Sequence, residues 1–406
     1  MTLSTIPSTV EKGVRETASF AEQLAHLHPG SPISRETALI LIRCGDKDLP
    51  ELLAAARTAK ENFKPCVITY SRKVFLPLTN LCRDYCGYCT FRRDPGQPGA
   101  HTMTPEDVLS VARAGEKLGC TEALFSLGDK PELLFSEMRE TLRHLGYKST
   151  LHYLEAMCEL VLRETSLLPH PNPGLLSGEW ITRLAAVSPS IGLMLESTNS
   201  GLLATGMAHD NAPDKLPAKR VRTIAEAGKQ KVPFTTGILI GIGETIEDRV
   251  DTLLAIRELH QRYGHIQEVI IQNFRAKPTI PMANVPEPGL GEMLRTAAVA
   301  RLLMPGMNIQ APPNLSAPYY EELLDAGIND WGGISPLTPD FINPEKPWPH
   351  LEQLRLRTEN RGFKLRQRLP VYPEFLPGLT SRPGLLSEKV EAACDFQGLA
   401  REKRAA

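Results

Sequence analysis

No stretch of the 406-residue chain stays apolar for the ~18 residues that a membrane-crossing helix needs, so no membrane association is expected. Nor is there an excess of charge of either sign. Lys and Arg number 46 against 47 Asp and Glu, a formal net charge of −1, which argues against the clustered basic surface of a nucleic-acid binder. The first seven residues, Met1-Thr-Leu-Ser-Thr-Ile-Pro7, lack a basic region followed by an apolar core, so no export signal is expected. There is no repeat of fixed length and no low-complexity segment. Disulfides are not expected either, because Cys44, Cys66, Cys120, Cys158 and Cys394 are scattered singly; the chain reads as belonging to a reducing compartment, the cytoplasm. The charged Arg401-Glu-Lys-Arg404 near the C-terminus reads as a solvated tail.

What is present is an alternation. Short apolar runs at 74–78, 121–127, 167–170, 190–196, 234–241, 266–273, 307–311 and 328–332 are strand candidates, with helix-like segments between most of them. Thr104-Pro105 opens one helix and Gly119 stops it. Apolar residues recur at helical spacing through Val250, Leu253, Leu254, Ile256 and Leu259, and a further helix over 290–304 ends at Pro305-Gly306. The expected fold class is α/β, a (β/α)8 barrel of the TIM type over residues 65–345, whose active site is built by the loops after the strands. Residues 1–64 read as a helical N-terminal extension, with helices at 36–43 and 49–62. Residues 346–406 read as a tail wrapping the barrel, with one long charged helix at about 350–366.

The densest chemistry follows the first strand candidate, in Cys82-Arg-Asp-Tyr-Cys86-Gly-Tyr-Cys89. Iron–sulfur clusters are ordinarily held by four cysteines, so a Cys-x3-Cys-x2-Cys triplet without an evident fourth leaves one iron open for chemistry. Structural zinc wants four ligands, commonly as two spaced pairs. His101 or Cys120 is the candidate to complete such a set, and neither has the spacing of a zinc knuckle.

The triplet resembles the signature of the radical S-adenosylmethionine enzymes. The wider string Ser71-Arg-Lys-Val-Phe-Leu-Pro-Leu-Thr-Asn-Leu-Cys82-Arg-Asp-Tyr-Cys86-Gly-Tyr-Cys89-Thr-Phe is similar to one subgroup, the small-subunit type of 7,8-didemethyl-8-hydroxy-5-deazariboflavin synthase. Two later strings share that likeness, Phe234-Thr-Thr-Gly-Ile-Leu-Ile-Gly-Ile-Gly-Glu244 and Ile334-Ser-Pro-Leu-Thr-Pro-Asp340, and the resemblance runs from about residue 65 to about 345. It implies a [4Fe–4S] cluster on Cys82, Cys86 and Cys89, S-adenosylmethionine as second cofactor, and an external electron donor. The reaction implied is a lyase step that closes the deazaflavin ring of an adduct between a 4-hydroxybenzyl unit and 5-amino-6-ribitylaminouracil, with loss of ammonia. A tyrosine-cleaving radical S-adenosylmethionine partner that makes the adduct is implied as well.

Further site residues follow at strand ends. Asp129, in Ser126-Leu-Gly128-Asp129-Lys-Pro131-Glu132, stands where the superfamily carries a Gly-Gly-Glu-like motif for the methionine amino group. This chain departs from that motif, with Leu127 for one glycine and Asp for Glu; the alternative is an ordinary polar turn. Likeness to the biotin-synthase branch implies Glu196 on the ribose diol; the alternative is a buried ion pair with Arg220 or another base. The same likeness implies Arg220 against the ligand's carboxylate, with Lys219 and Arg222 as rivals and an exposed surface charge as the alternative. The glycine-rich Gly241-Ile-Gly243-Glu244 lacks the Lys-Ser/Thr ending of a phosphate loop, and the family resemblance makes Ile242 an adenine contact. His170, Asn172, His209 and Asn273 are the candidates for substrate binding. Two other functions stay open: a biotin-synthase-like sulfur insertion, for which the scattered cysteines offer no second cluster, and a non-catalytic metal-binding interaction protein.

Overall fold

The structure, a computed structural model, describes residues 19–28, 30–381 and 383–401; the stretches at 1–7 and 402–404 read above as leader-free start and charged tail lie outside them. Eight parallel strands form the central sheet: β1 (Val67–Thr79), β2 (Glu122–Leu127), β3 (Leu168–Asn172), β4 (Ile191–Gly192), β5 (Phe234–Ile240), β6 (Ile266–Asn273), β7 (Ile309–Gln310) and β8 (Asp330–Ile334). Their order is β3-β2-β1-β8-β7-β6-β5-β4. This is a TIM-type barrel whose last seam, between β3 and β4, carries no strand pairing. Side chains fill that seam: a Cβ added to Gly192 would overlap the Asn172 amide and touch the His170 ring.

The helices between strands start where the sequence provides caps. Thr104 and Asp107 form a capping box for Pro105–Lys117, and Thr245 and Asp248 do the same for Ile246–Tyr263. The first of these helices buries Val108, Ala112 and Gly115 against β1, where Gly115 leaves room for the Val74 side chain. N-terminal helices Arg35–Ile42 and Leu49–Phe63 pack on helix Leu290–Leu303. Leu41, Leu52 and Ala56 are fully buried there, and each leucine contributes roughly 1.5–3 kcal/mol by its burial.

The C-terminal region differs from the expected long helix. Helix Leu351–Asn360 stops early because Gly362 takes a left-handed turn at φ 87°. A ninth strand, β9 (Lys364–Gln367), then pairs in parallel with the first residues of β1, from Val67 opposite Lys364 to Tyr70 opposite Gln367. Directly after it the Arg368 side chain enters the barrel floor, donating to Asp330 Oδ2 at 2.7 Å and Glu268 Oε1 at 2.8 Å. β4 and β7 are also shorter than expected. At β4 the regular ladder ends after Gly192, and the chain bridges to β5 again at Glu196, held at φ 65° opposite Ile238.

Candidate active site at the barrel mouth

The cysteine loop leaves β1 at Thr79 and presses on the end of β2. A Cβ at Gly128 would overlap the Leu81 carbonyl and crowd the Cys82 side chain, so only glycine lets the two segments meet. Loops after other strands anchor the rest. Tyr85 N donates to Asn211 O at 3.1 Å, Gly87 N to Ala208 O at 2.7 Å, and Met282 N to Gly87 O at 3.1 Å. Cys82, Cys86 and Cys89 thereby line one cavity of about 290 Å³ at the C-terminal ends of the strands. Cys82 Sγ accepts from Asp84 N at 3.4 Å and Asp129 N at 3.2 Å. Burial pushes the Cys82 thiol up to about 12, and Cys86 also upward. Thiolates in so dry a wall need a cation beside them, which a metal centre supplies.

No other cysteine and no histidine lines this cavity among the described residues. None of the eight cysteines is in a disulfide, and Cys120 is buried elsewhere. Both His101 ring nitrogens lie beside backbone carbonyls, Nδ1 at 3.1 Å from Gly99 O and Nε2 at 3.0 Å from Pro77 O. The soft donor set is therefore three sulfurs with no fourth cysteine or histidine beside them. That fits a [4Fe–4S] cluster with one open iron and does not fit a structural zinc.

Next to Cys82, three buried carboxylates converge. Asp84, Asp129 and Asp214 each offer an oxygen within 4.8 Å of the others. Burial raises the Asp84 and Asp129 carboxyls. Cations hold the group together: Arg83 pairs with Asp214 in a fork, and Lys130 Nζ lies 2.6 Å from Asp129 Oδ1. Leu175 N also donates to the Asp129 carboxylate at 3.2 Å, and Asp129 is among the residues lining the cavity.

Opposite this group, Glu196 is 7% exposed and forms a buried ion pair with a base other than Arg220: Lys215 Nζ lies 2.6 Å from its Oε1. Burial pushes the Glu196 carboxyl up, but Lys215 and Arg220 outweigh it and hold it below the usual carboxylate range. Tyr88 OH bridges Glu196 Oε1, at 3.5 Å, and His209 Nε2, at 3.2 Å. Burial and Lys215 pull the His209 ring down to about 3, so it is neutral. His209 stands behind Tyr88 and off the cavity wall. Arg220 is buried, which excludes a surface charge, and its guanidinium braces the chain after β4, with Nε 2.7 Å from Met194 O and Nη1 3.2 Å from Asp214 O. It still lines the cavity, as do Glu196 and Lys215.

The glycine-rich turn after β5 has its amides occupied. Gly241 N and Ile242 N both donate to Glu244 at 2.8 Å, and Arg249 Nε holds the same carboxylate at 2.7 Å. The amides of Gly241 and Ile242 are thus not free to cradle a phosphate. Gly241 takes φ 89°, which permits the sharp turn. Ile242 lies in an apolar cluster with Leu202, Leu239, Phe274 and Ile280 behind the mouth; Leu239 and Phe274, not Ile242, reach the cavity. Asn273 is on the wall, with Nδ2 donating to Leu315 O at 3.1 Å and Oδ1 unpartnered. Asn172 lines the cavity too, whereas His170 lies deeper, its Nδ1 2.6 Å from Ser190 Oγ. Lys215, Tyr88, Asp84 and Asp214 were not singled out by sequence reasoning. Only the nearness of Asp84 and Tyr88 to the cysteines offered a signal.

A parallel barrel with an open three-cysteine wall at its mouth defines a radical S-adenosylmethionine enzyme, and residues 76–256 match the family model described as the Radical SAM superfamily. The 7,8-didemethyl-8-hydroxy-5-deazariboflavin synthase of Methanopyrus kandleri is 47% identical over 339 residues, covering 82% of this chain and all of that protein. The chain belongs to that family of the superfamily, whose cofactors are a [4Fe–4S] cluster and S-adenosylmethionine. An FO synthase of Mycobacterium tuberculosis (strain CDC 1551 / Oshkosh) is 45% identical over 98% of this chain, which spans about half, 49%, of that longer protein. Solved structures share the fold. The FeFe-hydrogenase maturase HydG from Carboxydothermus hydrogenoformans has a TM-score of 0.68 at 18% identity, over 92% of this chain and 89% of that one. Methylornithine synthase (PylB) has a TM-score of 0.65 at 17% identity, over 85% and 96%. No helix among the described residues is long and apolar enough to cross a membrane.

Proposed function

We propose that the chain is the lyase that forms 7,8-didemethyl-8-hydroxy-5-deazariboflavin from the hydroxybenzyl–ribitylaminouracil adduct, releasing ammonia. The observation that carries this reading is the triplet Cys82, Cys86 and Cys89 on one cavity wall without a fourth cysteine or histidine, in a chain 47% identical to a synthase of that name. The three cysteines hold the cluster. When bound, cluster and S-adenosylmethionine together supply the radical that takes hydrogen from the substrate; the protein positions substrate and excludes stray hydrogen donors. Asp129 receives the ammonium of the methionine moiety, Arg220 faces its carboxylate, and Glu196 takes the ribose hydroxyls. Ile242 backs the adenine through Leu239 and Phe274. His170, Asn172, His209 and Asn273 serve the substrate, His209 acting through Tyr88.

In this reading the barrel at 65–345 carries the chemistry, while 1–64 and 346–406 buttress it. The FO synthases reach about twice the length of this chain, which supports a separate, tyrosine-cleaving partner as source of the adduct. An external donor provides the electron, and the cytoplasm is the setting. The test is anaerobic incubation of the iron-loaded protein with S-adenosylmethionine, reductant and purified adduct. The fluorescent deazaflavin is expected, and is lost with Cys82→Ala but kept with Cys394→Ala. Turnover of S-adenosylmethionine to 5′-deoxyadenosine without deazaflavin would refute the substrate and leave the superfamily reading standing.

A further inference from the structure

Below the mouth cavity lies a second chamber of about 230 Å³, which shares Asn172, Thr235 and Gln272 with it as common wall. Its depth follows from its lining. The mouth cavity reaches Leu127, Leu239 and Asn273 at the ends of β2, β5 and β6, whereas this chamber reaches Lys73, Glu122 and Glu268 nearer the strand starts. No cysteine lines it.

The chamber holds hydrogen-bonding capacity that the protein does not use. Ser126 Oγ is buried without a partner. Asn172 Oδ1 lies beside the His170 ring without a well-aligned bond. The side-chain amides of Gln272 and Gln310 make no hydrogen bond within the described residues, and Gln310 is held in place against Gly332, where a Cβ would overlap it. Buried polar groups are seldom left open, and a ring of them around an empty space implies a polar occupant. The charged groups in the wall, by contrast, already have partners within the protein. Lys73 Nζ lies 2.7 Å from Glu122 Oε1, Arg368 holds Glu268, and Asp340 accepts from the Ile342 and Asn343 amides at 2.9 and 3.0 Å. The occupant is therefore neutral. It must also both donate and accept, because the wall carries a hydroxyl, amide carbonyls and amide NH2 groups. Phe75 and Trp348, stacked at 5.3 Å, give the remaining wall an apolar face.

We infer that this inner chamber binds a linear polyol, the ribityl chain of the substrate, with Ser126, Asn172, Gln272 and Gln310 as its hydrogen-bonding wall. This rests on the proposed function, and it orients the substrate. The ring system, where bonds change, faces the cysteines across the shared wall, and the polyol points to the barrel floor. Ser126 and Gln310 are specificity-determining residues that touch only the polyol.

The test measures equilibrium binding of the ribitylaminouracil and of an analogue bearing hydroxyethyl in place of ribityl to the iron-loaded protein, apart from turnover. Wild type should prefer the ribityl compound by about tenfold or more, since a site built to pair hydroxyls rejects a ligand lacking them. Ser126→Ala and Gln310→Leu together should bring the preference to within about threefold, by the loss of those pairings, with cluster content and melting temperature showing that the variant is folded. An undiminished preference in the variant, or equal binding of both compounds by a wild type that does make deazaflavin, would overturn the inference. Polyol preference without any deazaflavin from the complete adduct would overturn the proposed function instead.

Discussion

Removing the guanidinium of Arg368 should strip the barrel floor of its only partner for Glu268 among the described salt bridges. The side chain is 2% exposed as a residue and bonds Asp330 and Glu268 at 2.7 and 2.8 Å, while its guanidinium lies 4.5 Å from the Tyr372 ring centroid. In Arg368→Met the stem remains, but two buried carboxylates lose the cation between them and keep only hydrogen bonds, from Tyr372 and Thr235 to Glu268 and from Thr69 and Gly332 N to Asp330. Breaking one side of such a buried pair costs roughly 3–5 kcal/mol. At roughly 2 °C per kcal/mol for a large chain, the melting temperature should fall on the order of 5–10 °C. The pH dependence follows from the carboxyl. Burial already holds Glu268 above the usual carboxylate range, although Arg368 opposes that rise. Without Arg368 it rises further. A carboxyl raised on folding stabilises the protein below its unfolded pKa and loses that contribution as pH climbs through the folded value. The deficit of the variant should therefore be smallest at acid pH, below the unfolded carboxyl's value, and should grow as pH rises through the raised folded value. Anaerobic calorimetry on the iron-loaded protein measures it. A variant melting within 1 °C of wild type at every pH would refute the argument that this pair closes the floor.

Two further outcomes are expected. Glu196→Gln and Arg220→Ala should each weaken S-adenosylmethionine binding by roughly 2–5 kcal/mol where the contact is desolvated, with the cluster intact; unchanged titrations in both would return these residues to a purely structural role. The buried rings of His170 and His265 are each pulled down to about 4, chiefly by burial, from the usual 6.5. They stay neutral in the folded protein, so stability is full above pH 6.5 and lost as pH falls toward 4, by up to about 1.4 kcal/mol per unit per ring. Urea midpoints that do not drop between pH 7 and 5, or a drop that His265→Gln leaves just as steep, would contradict this.

The barrel strands were legible mainly through apolar runs such as 74–78 and 237–240, as strands buried on both faces favour, and less so at β3, Leu168-Pro-His-Pro-Asn172, and at the two-residue β7. β9 was not, since Lys364-Leu-Arg-Gln367 is charged and looks like the end of the preceding helix; Gly362, a helix stop, was the overlooked signal. The cysteine wall was readable from spacing within one loop. Lys215 beside Glu196 was not, because that contact joins the loop after β4 to the strand end through a tertiary turn at Glu196 with positive φ. Gly241-Ile-Gly243 looked like a ligand loop, and only the structure places Glu244 on its amides.

The central claim is that the wall of Cys82, Cys86 and Cys89 serves hydrogen abstraction from the deazaflavin precursor. Its most direct measurement supplies the iron-loaded protein, S-adenosylmethionine and reductant with adduct deuterated at its carbon-bound positions, then analyses both products by mass. The account predicts deuterium in 5′-deoxyadenosine together with deazaflavin, and neither product with Cys86→Ala. Unlabelled 5′-deoxyadenosine and no deazaflavin, or full activity in the Cys86→Ala variant, would contradict it.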